Sequence, residues 1–106
     1  MRSEINDVFL ELVAFVRQEV NEFNLAMTRQ TIIEDDLGVT GDEAEDFVIA
    51  FSKKYNVSIE NFKFSKYFYP EPGIFGLQNG RISKLTLGHL EKAIKAGLLD
   101  EEVINS

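Results

Sequence analysis

Cysteine is absent from the 106 residues, which excludes disulfides, thiolate nucleophiles and cysteine-ligated metals. Histidine occurs once, at His89, so a transition-metal site has almost no ligand set to draw on. A lone histidine on a helix rim reads as a half-exposed structural residue. No apolar run approaches the roughly 20 residues of a membrane-spanning helix. Met1-Arg2-Ser3-Glu4 leads straight into a charged amphipathic pattern without a secretory signal, so a cytoplasmic location is expected. Walker loop, dinucleotide fingerprint and nucleophile–base pairing are missing. The acids from Glu34 to Asp46 do not keep EF-hand spacing. The chain is therefore expected not to be an enzyme, with no cofactor and no metal.

Basic residues are missing from one stretch in particular. Between Gln30 and Ser52 there are seven acids (Glu34, Asp35, Asp36, Asp42, Glu43, Glu45, Asp46) and no lysine or arginine. From Lys53 to Lys95 the balance reverses, with eight bases against three acids. The net charge of −7 opposes phosphate binding, so the aromatics Phe62, Phe64, Tyr67, Phe68 and Tyr69 read as core and not as a base-stacking platform. An acidic stretch of this kind either steers a basic protein surface toward it or simply keeps a small protein soluble.

What is present is a helical period. A hydrophobic content of 44% with 27% charged residues fits one folded domain over residues 1–106. Ser3 is placed to cap a first helix with apolar positions Ile5, Val8, Phe9, Leu12, Val16, Val20 and Phe23, ending near Phe23 or Asn24. Leu25 to Asp35 reads as a loop whose Leu25, Met27, Ile32 and Ile33 are candidates for burial, with Gly38 closing it. Thr40-Gly41-Asp42-Glu43 has the Thr-x-x-Glu form of a capping box and opens a second helix. Ala44, Phe47, Val48, Phe51 and Tyr55 form its apolar stripe, and Asp42, Asp46, Ile49 and Lys53 fall opposite.

Asn56 stops that helix, and Val57-Ser58-Ile59 reads as an extended linker. Phe64, Tyr67 and Phe68 are spaced for one short helical turn before Pro70 and Pro72 interrupt. Asn79-Gly80 marks a turn that can tip a small hairpin. Thr86 caps a last helix burying Leu87, Leu90 and Ile94 and ending at Gly97, followed by a short tail that includes Leu98, Leu99, Val103 and Ile104. The reading is all-α: three main helices plus one short one, with an irregular or small-hairpin insertion before the last helix.

Asp36-Leu37-Gly38 followed by an acidic helix resembles the acyl and peptidyl carrier proteins, whose pattern is Asp-Leu-Gly-x-Asp-Ser-Leu. The likeness runs without a gap from Asp36 to Ile59, roughly a quarter of the chain, and covers the rest in outline. Phe47, Val48, Ala50, Phe51 and Tyr55 take the family's apolar positions, and Asp46 takes a helix acid. Leu85-Thr86-Leu87 resembles the entry to its final helix, whereas Pro70 to Ile82 resembles an insertion. The combination looks like an uncharacterised bacterial carrier-like branch, and the resemblance implies an acyl-carrier-like bundle.

One departure decides what the resemblance implies about activity. Carriers attach phosphopantetheine to the serine that opens their second helix, and here that position is Gly41, preceded by Thr40 where the family has aspartate. Glycine offers no oxygen for the phosphodiester. What the resemblance leaves is docking: Asp42, Glu43 and Asp46 as acids around Ile49 at the exposed apolar position, meeting a basic protein surface such as an enzyme of acyl metabolism. Ile49 either does this or packs under the loop or the aromatic segment. Two rivals stay open: a genuine carrier modified at another hydroxyl, for which Thr40, Ser52, Ser58, Ser65 and Ser83 are all poorly placed, and an acidic immunity- or chaperone-type protein that covers a basic partner. Neither nucleic acid nor membrane is expected as a partner.

Overall fold

A computed structural model of the chain describes residues 4–39, 41–67 and 83–105. Their helical segments are α1 (Glu4–Val20), α2 (Ile33–Leu37), α3 (Gly41–Tyr55), α4 (Phe64–Tyr67), α5 (Leu87–Ala96) and α6 (Glu101–Asn105). The chain folds as a small all-α bundle in which α1, α3 and α5 carry the core. Leu12 and Val16 of α1, Phe47, Val48 and Phe51 of α3, and Leu87 and Leu90 of α5 are all buried. Each such side chain contributes roughly 1.5–3 kcal/mol of burial free energy.

Aromatic packing joins α1 to α3. The ring of Phe15 lies 5.9 Å from Phe47, 6.5 Å from Phe51 and 5.9 Å from Tyr55, the last edge-on. Phe15 and Val13 widen the buried stripe of α1, as the sequence pattern predicts. The aromatic segment is core where it is described: Phe62 and Tyr67 are buried and stacked at 5.4 Å, with Phe64 edge-on to Phe62.

Several expectations need correction. α1 stops at Val20 and not near Phe23, because Asn21 adopts a left-handed φ of 57°. The Arg17 guanidinium then donates to the carbonyls of Glu22 and Leu25, fixing the chain as it leaves the helix. Phe23 is thereby thrown out of the apolar stripe and is 59% exposed, and Leu25 is exposed as well. There are also more short helices than the one expected. α2 forms inside the supposed loop because the Asp36 carboxylate accepts the Ile32 N–H at 2.8 Å, and Gly38 at φ 73° closes it. Ile33 is fully buried there. The tail becomes α6, whose start is held by the Asp100 carboxylate accepting from the Val103 N–H, with Ile104 buried.

Other boundaries agree. Asn56 ends α3 at φ 56°, and Ser58 in the linker bridges to Leu98. Thr86 caps α5 and Gly97 closes it at φ 83°. Ile94 is only partly buried. Ser3, the Thr40 half of the capping box, Phe68, and the insertion from Pro70 to Ile82 with its Asn79-Gly80 turn all lie outside the described residues.

Candidate protein-docking surface

The inner side of α3 is fixed by Ala44, Phe47, Val48 and Phe51, which are 3% exposed or less. Helical geometry then dictates the outer side. Asp42, Asp46, Ile49 and Lys53 lie opposite that stripe and are exposed, and Glu43 and Glu45 flank them. Ile49 is 37% exposed. Leu10 at 65% and Phe23 at 59% are more open, but neither belongs to α3. The four residues expected at the docking face thus share one helix, with Asp42, Asp46 and Ile49 together on its outer side and Glu43 turned toward one edge.

The helix begins in an unusual way. Gly41 sits at φ 60°, in the left-handed region that glycine enters freely and other residues enter at a cost. Gly41 therefore has no hydroxyl and a backbone that disfavours a side chain. Among the alternative hydroxyls, Ser52 donates to the Val57 carbonyl at 2.7 Å and helps finish α3. Ser58 and Ser83 are exposed, and the side chain of Ser65 lies outside the described residues.

Along the edge of α3, Glu43, Asp46 and Phe47 line a cleft of about 400 Å³ shared with Glu19 and Val20 of α1 and with Leu37. Glu19 came from a different helix, so nothing local in its sequence marked it. Glu45 carried a signal: it stands four residues before Ile49, which places it beside that side chain on a helix. Among the described residues, Asp42, Glu43, Glu45, Asp46 and Glu19 make no ion pair.

The other polar clusters close on themselves. Arg29 donates to both carboxylate oxygens of Glu91, at 2.6 and 3.0 Å, and lies 4.4 Å over the ring of Phe9. Those hydrogen bonds hold the Glu91 carboxyl below its ordinary range. Sequence spacing hid this pair, whose members stand 62 residues apart. His89 accepts the Thr86 N–H through Nδ1 at 3.0 Å, while Thr86 Oγ1 accepts the His89 N–H at 3.3 Å. Burial, followed by the charge of Lys92, lowers the His89 pKa, which favours the neutral ring this acceptor role needs. His89 is thus structural, as its solitary place on a helix rim implies.

The phenol of Tyr55 is shifted as well. Burial and then the negative charge of Glu11 push its phenol up to about 12. Among the described residues no set of His, Asp or Glu side chains is grouped to hold a metal ion, and no helix is long and apolar enough to cross a membrane.

A family model described as "Protein of unknown function (DUF1493)" matches residues 4–99. The chain belongs to the DUF1493 family. That match spans α1 through α5 and stops short of α6, so the outer face of α3 and the cleft both fall within the DUF1493 region. Neither a curated protein nor a solved structure matches the chain.

Proposed function

We propose that this DUF1493 member is an acyl-carrier-like interaction module that carries no phosphopantetheine arm at the start of α3 and docks a basic protein surface through that helix. The observation that supports the reading is Ile49, an exposed apolar side chain set among Asp42, Glu45 and Asp46, none of them paired internally among the described residues. An apolar contact inside a ring of charge is the usual anatomy of a small interface: the centre excludes water, and the charges orient the approach. Glu43 extends the acidic edge of the same helix.

Gly41 argues in the same direction. A carrier needs a hydroxyl there, and this backbone both lacks one and adopts a conformation in which serine is strained. Docking without a tethered group is what remains of the carrier scheme, with an enzyme of acyl metabolism as one partner class. Co-expression with a broad-specificity phosphopantetheinyl transferase followed by intact-mass measurement is expected to return the unmodified chain. A mass increase corresponding to the prosthetic group would refute the reading. With a partner in hand, Asp42→Lys combined with Asp46→Lys is expected to lower affinity steeply at low salt and less at high salt. Unchanged affinity for the doubly reversed chain would remove α3 as the docking element.

A further inference from the structure

The helices α2 and α5 start side by side. Ile32 and Thr86, the residues just before them, form an antiparallel bridge. Its rungs are the Ile33 N–H donating to the Leu85 carbonyl at 2.9 Å and the Leu87 N–H donating to the Thr31 carbonyl at 3.0 Å. In that pattern the N–H groups of Ile32 and Thr86 themselves turn outward and need other acceptors. Each finds one in the first turn of its own helix. Asp36 Oδ2 takes the Ile32 N–H at 2.8 Å, and His89 Nδ1 takes the Thr86 N–H at 3.0 Å.

A capping box ordinarily closes with glutamate or glutamine at the position of His89. Histidine differs in losing its acceptor near neutral pH. A protonated imidazole donates from both nitrogens, so Nδ1 would face the Thr86 N–H donor to donor. We propose that the junction of α2 and α5 is a proton-operated latch, closed while His89 is neutral and opened when its ring takes a proton.

The surroundings favour the closed form at neutral pH. The half-buried ring stands in the first turn of α5, at the positive end of the helix dipole. Burial and then Lys92, one turn along the same helix, lower its pKa from 6.5. On the facing loop Arg29 is taken up by Glu91, and on α2 Asp36 holds the opposite edge of the bridge. Lys84, before the cap, is exposed, Glu11 of α1 acts on Tyr55, and Asp100, Glu101 and Glu102 follow the far end of α5. The latch is therefore closed above 6.5 and opens as the pH falls through the lower folded-state value. Opening is local: the Arg29–Glu91 pair and the buried Ile33, Leu85 and Leu87 keep the two segments together while the rungs loosen. It operates whether or not α3 docks a partner.

The test is a nuclear magnetic resonance titration of the full chain from about pH 8 to about pH 5, across the range in which histidine changes charge. Long-range proton–nitrogen spectra should show His89 with a bare Nδ1 and a protonated Nε2 at the alkaline end. As the ring titrates, amide-exchange protection at Thr86, Leu87 and Ile33, corrected for the intrinsic pH dependence of exchange, should fall about fivefold, the scale of one net hydrogen bond. Protection of Val16, Val48 and Phe51 should hold over the same range. In His89→Gln, which keeps an acceptor but does not titrate, protection at Thr86 should be flat.

A proton on Nδ1 at the alkaline end would refute the acceptor role on the unaltered chain. Constant protection at Thr86 while His89 titrates would remove the latch. So would a loss shared equally by Val16, Val48 and Phe51, which would report unfolding of the whole bundle, or a loss that persists in His89→Gln.

Discussion

The starts of α5 and α3 both carry charged side chains, and among the described residues only those of α5 are held in an ion pair. At α5, Thr86 and His89 cap each other, the Gly88 and Leu87 N–H groups donate to the Arg29 and Thr31 carbonyls, and Glu91 is bound by Arg29. At α3, Asp42, Glu43 and Asp46 face outward without an ion pair among the described residues, and the first residue is a left-handed glycine. Polar groups that close on one another stabilise the fold and have little left to offer a partner. Polar groups left open cost some self-repulsion and retain their capacity to bind. Charge content alone does not distinguish the two cases; what distinguishes them is whether the fold supplies an internal counterpart.

The comparison breaks most visibly at Gly88. A Cβ added there would stand 3.0 Å from the Arg29 carbonyl oxygen and 3.3 Å from the Arg29 Cβ, so backbone must move and not merely a flexible side-chain tip. Gly88→Val should therefore destabilise the chain by about 1–3 kcal/mol, the scale of overpacking. Urea denaturation would show a lower midpoint with an unchanged slope. A variant as stable as the original would mean that the loop carrying Arg29 is not held against α5. Affinity for a partner of α3 should be unaffected while the chain remains folded.

At Gly41 the expected effect is smaller. Serine there restores a hydroxyl but has to occupy a left-handed conformation, at a cost of roughly 1–2 kcal/mol. Gly41→Ser should lower the urea midpoint, and Gly41→Asn should lower it less, since asparagine tolerates this region better. Equal stability of the serine variant would show that the start of α3 relaxes easily, which would weaken the contrast between the two helix starts.

Thr86→Ala removes one half of the α5 cap and should cost about 1 kcal/mol, or some 4–8 °C in Tm for a domain near this size. The other half titrates. Because folding lowers the His89 pKa from its ordinary value of 6.5, the unfolded chain binds the proton more readily than the folded one. The stability this contributes is complete above 6.5 and is lost as the pH falls through the lower folded-state value. The pH dependence in that window should vanish in His89→Asn. Persistence of the same slope would place its origin elsewhere. Glu91, whose pKa is also lowered, adds a loss at more acidic pH, below the ordinary carboxylate value of 4.5.

The two helix starts were not equally legible in the sequence. Thr86 and Gly97 announce α5 by local chemistry, and the apolar stripes of α1 and α3 announce themselves by period, so the main bundle can be read directly. The face of α3 follows from the same period, which is why Asp42, Asp46 and Ile49 are found on its outer side. The short α2 and α6 escape because five residues barely exceed one helical period, and their starts depend on the side chains of Asp36 and Asp100. The end of α1 is not legible because Phe23 continues the apolar spacing after Asn21 has already turned the backbone. Glu19, Arg29 and Glu91 were invisible for a different reason: their importance comes from residues distant in sequence, and one chain read alone gives no pairing between them.

The smallest effect on stability should come from the open face, and it provides the sharpest test of the contrast. Replacing Asp42 by Asn removes a carboxylate from the positive end of α3, where it contributes about 0.3–1 kcal/mol. Replacing Asp46 by Asn also removes the repulsion between two acids four residues apart, about 0.2–0.5 kcal/mol in the other direction. The two terms partly cancel, so Asp42→Asn with Asp46→Asn should cost no more than about 0.8 kcal/mol of stability in urea denaturation. Association with a basic partner should nevertheless fall steeply at low salt, because the same carboxylates supply its long-range attraction. A large loss of stability in this variant would mean that these acids serve the fold after all. The start of α3 would then resemble that of α5, and the case for a surface kept open for recognition would fail.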